Sequence, residues 1–199
     1  MFTGIIEAIG LVREIKQEGS NKTFCMESPI SHELKPDQSV SHNGVCLTVT
    51  KIIGNQHWAT AIDETLRKST LGLMAIGDEI NLERCMVANG RFDGHIVQGH
   101  VDQTGTCTSA ESADGSWTYT FEYDPSLGNI TVEKGSISIN GVSLTCFNSN
   151  ENRFTVAIIP YTFEHTNFHQ IKLGDRVNLE FDVIGKYVKR LLADHSRLI

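Results

Sequence analysis

Two short stretches hold the residue types best suited to chemistry. Cys46 and Thr48 lie in Asn43-Gly44-Val45-Cys46-Leu47-Thr48-Val49, and Ser143 and Thr145 lie in Asn140-Gly141-Val142-Ser143-Leu144-Thr145-Cys146. Side chains alternate across a strand, so Cys46, Thr48 and Thr50 share one face and Val45, Leu47 and Val49 the other. In the second stretch Ser143, Thr145 and Phe147 oppose Val142, Leu144 and Cys146. Each stretch thus turns an apolar face to a core and a small polar pair outward. A single copy reads as an ordinary half-exposed strand; two copies with the same pair point to two related ligand pockets. The copies also differ, because Cys46 aligns with Ser143 and His100 with Ile5. A cysteine and a histidine can form a nucleophile–base or proton-transfer pair near neutral pH, the thiol then being partly ionised. Taken singly, a cysteine fills a core and a histidine sits hydrogen-bonded at a surface; spacing alone does not bring these two together. His95 and His100 fall on opposite faces of a strand, which argues against a shared metal.

The elements that must position these residues come as two copies of one unit. Asn43 and Asn140 are 97 residues apart, and the same offset carries Thr65 onto Thr162, Gly77-Asp78 onto Gly174-Asp175, and Asn81-Leu82-Glu83 onto Asn178-Leu179-Glu180. Near the start of each copy the offset is 95, aligning Gly4-Ile5-Ile6-Glu7-Ala8-Ile9-Gly10 with Gly99-His100-Val101-Asp102-Gln103-Thr104-Gly105. A period this long, occurring twice, is a duplicated domain and not a solenoid. We divide the chain into barrels at 1–95 and 96–183 and a helix with tail at 184–199. Within the first copy, strands are expected at Phe2–Ile9, Leu11–Ile15, Asn21–Met26, Ser39–His42, Val45–Ile53, Trp58–Ile62 and Glu79–Arg84. Asn43-Gly44 between two β-like runs is a strong hairpin signal, and Glu64–Arg67 reads as a short helix. Ala88-Asn89-Gly90 is a turn between the copies. The second copy starts at His95, with a polar loop at Ser109–Ser116 and a hairpin tip at Asn148–Asn152. Many short strands and Gly/Asn turns give an all-β class with an antiparallel barrel in each half. Ile184, Tyr187, Val188, Leu191 and Leu192 break the pattern: their spacing predicts an amphipathic C-terminal helix without a counterpart in the first copy. Its stripe suits docking on its own core or oligomerisation.

Composition narrows the partners. With 17 Lys and Arg against 24 Asp and Glu the net charge is −7, which disfavours nucleic acid and anionic membranes. No stretch of about 18 apolar residues is present, so no membrane span is expected. The N-terminus lacks the pattern of a secretory signal. The five cysteines Cys25, Cys46, Cys85, Cys107 and Cys146 show no C-x-x-C spacing, so neither structural zinc nor a disulfide framework is expected, and a cytoplasmic location is.

Several motifs together resemble riboflavin synthase: Met1-Phe2-Thr3-Gly4-Ile5-Ile6-Glu7, the run from Ser39 to Val49, Gly94 to His100, Asn140 to Thr145, and Ile159-Pro160-Tyr161-Thr162-Phe163-Glu164. The resemblance extends from residue 1 to about 190. It implies two Greek-key β-barrels and a C-terminal helix driving a homotrimer, with each active site between the N-terminal barrel of one subunit and the C-terminal barrel of another. The implied reaction is a dismutation of two molecules of 6,7-dimethyl-8-ribityllumazine, without metal or separate cofactor; association with lumazine synthase is a further implied partnership.

By matching motif, Cys46, Leu47 and Thr48 would line the N-barrel pocket with Thr60, Ala61, Ile62, Asp63, Glu64 and Thr65, and Gly99, His100 and Val101 would reach into it from the second repeat. Gly4, Ile5 and Ile6 would serve the C-barrel pocket with Lys134, Ser143, Leu144, Thr145, Ile159, Pro160, Tyr161, Thr162, Phe163 and Glu164. Ser39, Cys46 and His100 are the implied catalytic residues, with Phe2 packing beside the ligand rings. Asn140 stands where many relatives carry Asp, a departure that argues against an acid–base role there. The rival reading is a lumazine- or flavin-carrying protein on the same fold, whose expected signature is loss of the reactive residues. A flavin reductase would need a nucleotide-binding partner unit, and no G-x-G-x-x-G occurs.

Overall fold

A computed structural model describes residues 1–195. The end of the expected tail, 196–199, lies outside the described residues. The first repeat contains strands β1 (Ala8–Glu18), β2 (Asn21–Glu27), β3 (Ser39–His42), β4 (Val45–Ile53), β5 (Gln56–Ala61) and β6 (Glu79–Arg84), with helix α1 (Asp63–Lys68) before β6. The second contains β7 (Gln103–Ala113), β8 (Ser116–Glu122), β9 (Ser136–Ile139), β10 (Val142–Phe147), β11 (Arg153–Ile158) and β12 (Arg176–Phe181), with helix α2 (Pro160–His165) before β12. Helix α3 (Val183–His195) follows. Each repeat closes into a six-stranded antiparallel barrel, in the orders β1-β2-β5-β4-β3-β6 and β10-β11-β8-β7-β12-β9. These are the expected Greek-key barrels.

The alternation read from β4 is present: Val45, Leu47 and Val49 are buried while Thr48 and Thr50 are exposed. The inward set joins Val12, Phe24, Met26, Val40, Ile80 and Leu82 in one core, and Phe121, Ile137, Ile139, Phe154, Val177 and Leu179 belong to the other. Asn43-Gly44 (φ 49 and 80) and Asn140-Gly141 (φ 47 and 83) form the expected tight turns, where both central residues need positive φ. The two turns meet: a Cβ on Gly44 would lie 2.8 Å from the Gly141 nitrogen. Around them the asparagines join the barrels. Asn81 Nδ2 donates to Asn140 O (2.9 Å) and to Asn167 Oδ1 (2.8 Å), and Asn178 Nδ2 donates to Asn43 O (2.8 Å). The Asn140 side chain accepts the Asn178 N–H at 2.8 Å, so its role here is structural.

Three expectations are corrected. Phe2–Ile9 is not a strand: Phe2 forms only an isolated bridge with Val97, and β1 begins at Ala8 and runs through Leu11–Ile15 as one strand. The amides of Thr3 and Gly4 are bonded to a side chain, so they cannot enter a ladder. The second repeat's first strand begins at Gln103, not at His95. Ser109–Ala113 is strand and not loop, because its backbone pairs with β8 down to Ala113 and Ser116; a polar hairpin needs ladder bonds but no burial.

The cores differ at one polar cluster. His42 and His57 are buried in the first barrel, where the 97-residue offset places Ile139 and Phe154 in the second. Their Nε2 atoms are 2.9 Å apart, His57 Nδ1 is 2.7 Å from Ser31 Oγ, Ser31 Oγ is 2.8 Å from Ser28 Oγ, and His42 Nδ1 is 3.0 Å from Val40 O. One proton assignment satisfies all of these: Ser28 donates to Ser31, Ser31 to His57, His57 to His42, and His42 to Val40 O. Both imidazoles are then neutral. Burial lowers His42 to about 3 and His57 to about 4. A depressed histidine pKa means that the unfolded chain binds the extra protons. The associated stability is complete above the unfolded value near 6.5 and is lost as pH falls toward 4 and 3. The slope reaches up to about 2.7 kcal/mol per pH unit for two imidazoles. Urea unfolding at pH 7 and pH 5 should show this loss, and His42→Ile with His57→Phe should flatten it; equal pH dependence in both proteins would refute the assignment.

Candidate active site

Each barrel has one end completed by the other repeat. Ile6, which precedes β1 of the first barrel, packs against the core of the second. Val101, its equivalent before β7, packs against the core of the first. The segments cross side by side, with Phe2 N donating to Val97 O (2.7 Å), Val97 N to Phe2 O (3.1 Å) and His95 N to Thr3 O (3.0 Å). Burial of one apolar side chain in the opposite core carries each segment across the polar face of the opposite hairpin strand. There the main chains touch: Cys46 N donates to Gly99 O and Ser143 N to Gly4 O, both at 2.8 Å. Glycine is required at both points. Gly99 has φ +82 and a Cβ there would lie 2.6 Å from Cys46 Cβ, while Gly4 has φ +79 and a Cβ there would lie 2.5 Å from Ser143 Cβ.

In the first barrel this leaves a cavity of about 230 Å³ bordered by Cys46, Glu64, Thr65, Lys68, Gly99, His100 and Val101. The thiol and the imidazole that spacing could not connect therefore border one cavity. Burial pushes the Cys46 thiol up, against the opposing hydrogen bond from Ser39 and the N-terminal amine, so it is protonated near neutral pH. This corrects the expectation of a partly ionised thiol. A protonated thiol donates a hydrogen bond or a proton; it is a poor nucleophile until a base removes that proton. Ser39 borders a neighbouring cavity with Thr3, Ile5, Glu83 and Cys85.

In the second barrel Ser143 Oγ lies 2.6 Å from His95 Nδ1. Burial lowers the His95 pKa and the nearby Asp182 carboxylate raises it. A neutral imidazole with its proton on Nε2 accepts a hydrogen bond from the Ser143 hydroxyl at that distance, the arrangement of a hydroxyl and its base. The separation of His95 from His100 thus has a different cause from strand alternation: residues 95–102 form no named strand, and each histidine serves a different barrel. Sequence reasoning weighs His95 only as a metal ligand, within the run from Gly94 to His100, and misses its pairing with Ser143; Asp182 stands in no motif that it singles out. The carboxylates Glu83 and Glu180 that hold the crossing segments are visible there only as aligned identities.

The remaining expected residues divide by orientation. Leu47 and Ala61 turn into the barrel core, on the inward face of β4 and at the end of β5. Leu144 packs partly against the second core. Phe2 is fully buried with its ring edge against Gly99. Thr48 and Thr145 are exposed on the polar faces, Thr60 shares a 2.8 Å bond with Thr23, and Asp63 pairs with Arg67 at 2.9 Å. Ile62, Ile159, Pro160, Tyr161 and Glu164 are exposed, Thr162 O accepts the Thr166 hydroxyl, and Phe163 stacks on Trp117 at 3.7 Å between ring centres. The Lys134 ammonium lies over the Phe147 ring at 5.6 Å. Among the described residues no His, Cys, Asp and Glu cluster suits a metal ion, and no helix is long and apolar enough to cross a membrane.

The duplication has a name among known families. A lumazine binding domain model matches residues 3–85 and again 98–182. The chain is 42% identical over 193 residues to the riboflavin synthase of Bacillus subtilis (strain 168), covering 96% of this chain and 90% of that protein. The chain belongs to the riboflavin synthase family. Members as far apart as Actinobacillus pleuropneumoniae (41% over 193 residues) and Schizosaccharomyces pombe (36% over 200 residues, 98% of this chain and 95% of that protein) align over nearly the whole length. The fold is also that of LumP complexed with riboflavin, with a TM-score of 0.84 at 21% identity, covering 91% of this chain and 99% of that one. In this riboflavin synthase family member, the two copies repeat one frame with unequal chemistry: Cys46 and His100 border a cavity at the first barrel, and Ser143 is hydrogen-bonded to His95 at the second.

Proposed function

We propose that the chain catalyses the dismutation of two molecules of 6,7-dimethyl-8-ribityllumazine, one giving a four-carbon unit to the other to yield riboflavin and 5-amino-6-ribitylamino-uracil. The observation that carries this reading is the pair of equivalent but unequal side-chain sets, Cys46 with His100 at one cavity and Ser143 hydrogen-bonded to His95. Two identical substrates that must act as donor and acceptor need similar binding frames and different proton chemistry. His100 exchanges protons at the exocyclic methyl carbon. Cys46 and Ser39 hydrogen-bond or activate the nucleophile that adds at the electrophilic ring carbon, and the Ser143 hydroxyl is hydrogen-bonded to His95. Holding two rings face to face makes a bimolecular step nearly unimolecular, a large share of the acceleration. The test is incubation with the lumazine alone. Continuous growth of riboflavin absorbance supports turnover; a stoichiometric, co-purifying colour with no turnover would instead support a carrier. That second reading is favoured by the likeness to LumP, whose structures contain riboflavin and 6,7-dimethyl-8-(1'-D-ribityl) lumazine.

The same reading includes a homotrimer, with sites between the N-terminal barrel of one subunit and the C-terminal barrel of another. Ile184, Tyr187, Val188, Leu191 and Leu192 of α3 are all at least half exposed, so the stripe has no cover among the described residues. Burying them against other subunits contributes about 1.5–3 kcal/mol each before entropy is subtracted. Leu191→Asp should leave folded barrels that no longer trimerise, with turnover falling alongside, as read by sedimentation and the lumazine assay on the same samples. A fully active monomer would sink the between-subunit site.

A further inference from the structure

Each crossing segment is fastened by one buried carboxylate. Glu180, on β12, accepts the backbone N–H groups of Gln98 (2.6 Å), Gly99 (2.9 Å) and His100 (2.8 Å). Glu83, at the equivalent place on β6, accepts Thr3 N (2.7 Å), Thr3 Oγ1 (3.0 Å) and Gly4 N (3.0 Å), and the Ile5 amide also bonds it. Successive N–H groups around one anion form a main-chain nest. An ionised carboxylate suits this arrangement, because it is acceptor-only and has lone pairs enough for several donors. The opposite side of each glycine peptide is also held, since Gly99 O accepts from Cys46 N and Gly4 O from Ser143 N. One residue therefore links carboxylate to reactive strand in each barrel: Glu180 through Gly99 to Cys46, and Glu83 through Gly4 to Ser143.

We propose that Glu180 and Glu83 are the positioning residues of the two crossing segments, Glu180 setting where His100 stands relative to Cys46 and Glu83 setting how Gly4 meets Ser143. Both act through the main chain of the crossing segment. The inference rests on the proposed function. A segment that only had to be tied down could have continued its strand and met backbone partners. Instead both repeats interrupt the ladder and give three consecutive amides to one side chain. The result is a backbone with positive φ at the glycine, brought as close to the polar face of the opposite strand as the absence of a Cβ allows.

The test uses Glu180→Gln and Glu83→Gln in the full chain. The amide oxygen still accepts, but the NH2 group faces N–H donors and leaves at least one without a partner. With lumazine as sole substrate, E180Q should lower kcat by about 10- to 100-fold, the scale of a small misplacement of reacting groups. KM should stay within about threefold, since Thr65 and Lys68 remain in place. Hydrogen exchange on the same samples reads the cause. In E180Q the amides of Gln98 to His100 should exchange at least about tenfold faster while those of Thr3 to Ile5 do not change, and E83Q should show the reverse. If E180Q does not fold, E180D, which keeps the charge and withdraws it by one methylene, carries the same comparison. Parent-like kcat in both variants, or faster exchange spread over both segments alike, overturns the proposal. A parent that forms no riboflavin sinks the functional reading instead, and segment-specific exchange then still decides whether the carboxylates position the segments.

Discussion

Replacing Gly99 with alanine is expected to lower riboflavin formation by about 100-fold while both barrels stay folded. The new Cβ would lie 2.6 Å from Cys46 Cβ, 2.8 Å from Phe2 Cε2 and 3.0 Å from Cys46 N, so strand and segment must part. Parting them loses the Cys46 N–H bond to Gly99 O and moves His100, which follows directly in the chain. The positive φ adds its own strain, about 1–2 kcal/mol for a residue with a Cβ. A control separates the two effects. Gly19 has φ +62, but nothing lies within 4 Å of the point a Cβ would occupy, so Gly19→Ala carries strain without contact and should lose some stability and no activity. If Gly99→Ala and Gly19→Ala have equal turnover, close approach at the pocket is not what Gly99 provides.

His100→Ala should keep lumazine binding and lower turnover by about 100-fold or more, the scale of removing a general acid or base. His100 is exposed at the cavity, its backbone held by Glu180 and its neighbour Gly99 held by Cys46, so the side chain can be removed without disturbing a core. Binding measured by lumazine fluorescence and turnover measured by riboflavin absorbance on one preparation distinguish loss of chemistry from loss of site. Activity within a few-fold of the parent would remove His100 from the catalytic set and leave proton transfer to other groups.

These two substitutions sit next to each other in the chain, yet only one is legible in the sequence as a position of constraint. His100 stands out because its repeat equivalent is Ile5, an inert side chain. Gly99 and Gly4 are aligned identities without an evident reason. The reason is a contact with a strand more than forty residues away, which local pattern does not encode. The ionisation of Cys46 escapes the sequence on the same grounds: a thiol's pKa depends on how much water the fold leaves around it, and here burial outweighs the Ser39 bond and the N-terminal charge.

The sequence by itself determined the duplication, the two Asn-Gly hairpins and the face each β4 and β10 residue presents. Those follow from neighbouring residues: Asn-Gly tolerates the positive φ of a tight turn, and alternation along a strand sorts apolar from polar. It also determined that the stripe of α3 would be amphipathic, since helical spacing is local too. The family resemblance implied which barrel each crossing segment serves, but only the tertiary structure decided the contacts by which it does so, that Ser143 meets His95, and that Glu83 and Glu180 hold the crossing. It alone decided that His42 and His57 sit neutral in one core where Ile139 and Phe154 fill the other. The physical reason is common to all of these. They depend on where a buried donor finds an acceptor and where an apolar side chain finds an open core, and both partners are separated by tens of residues that only the closed barrels bring together.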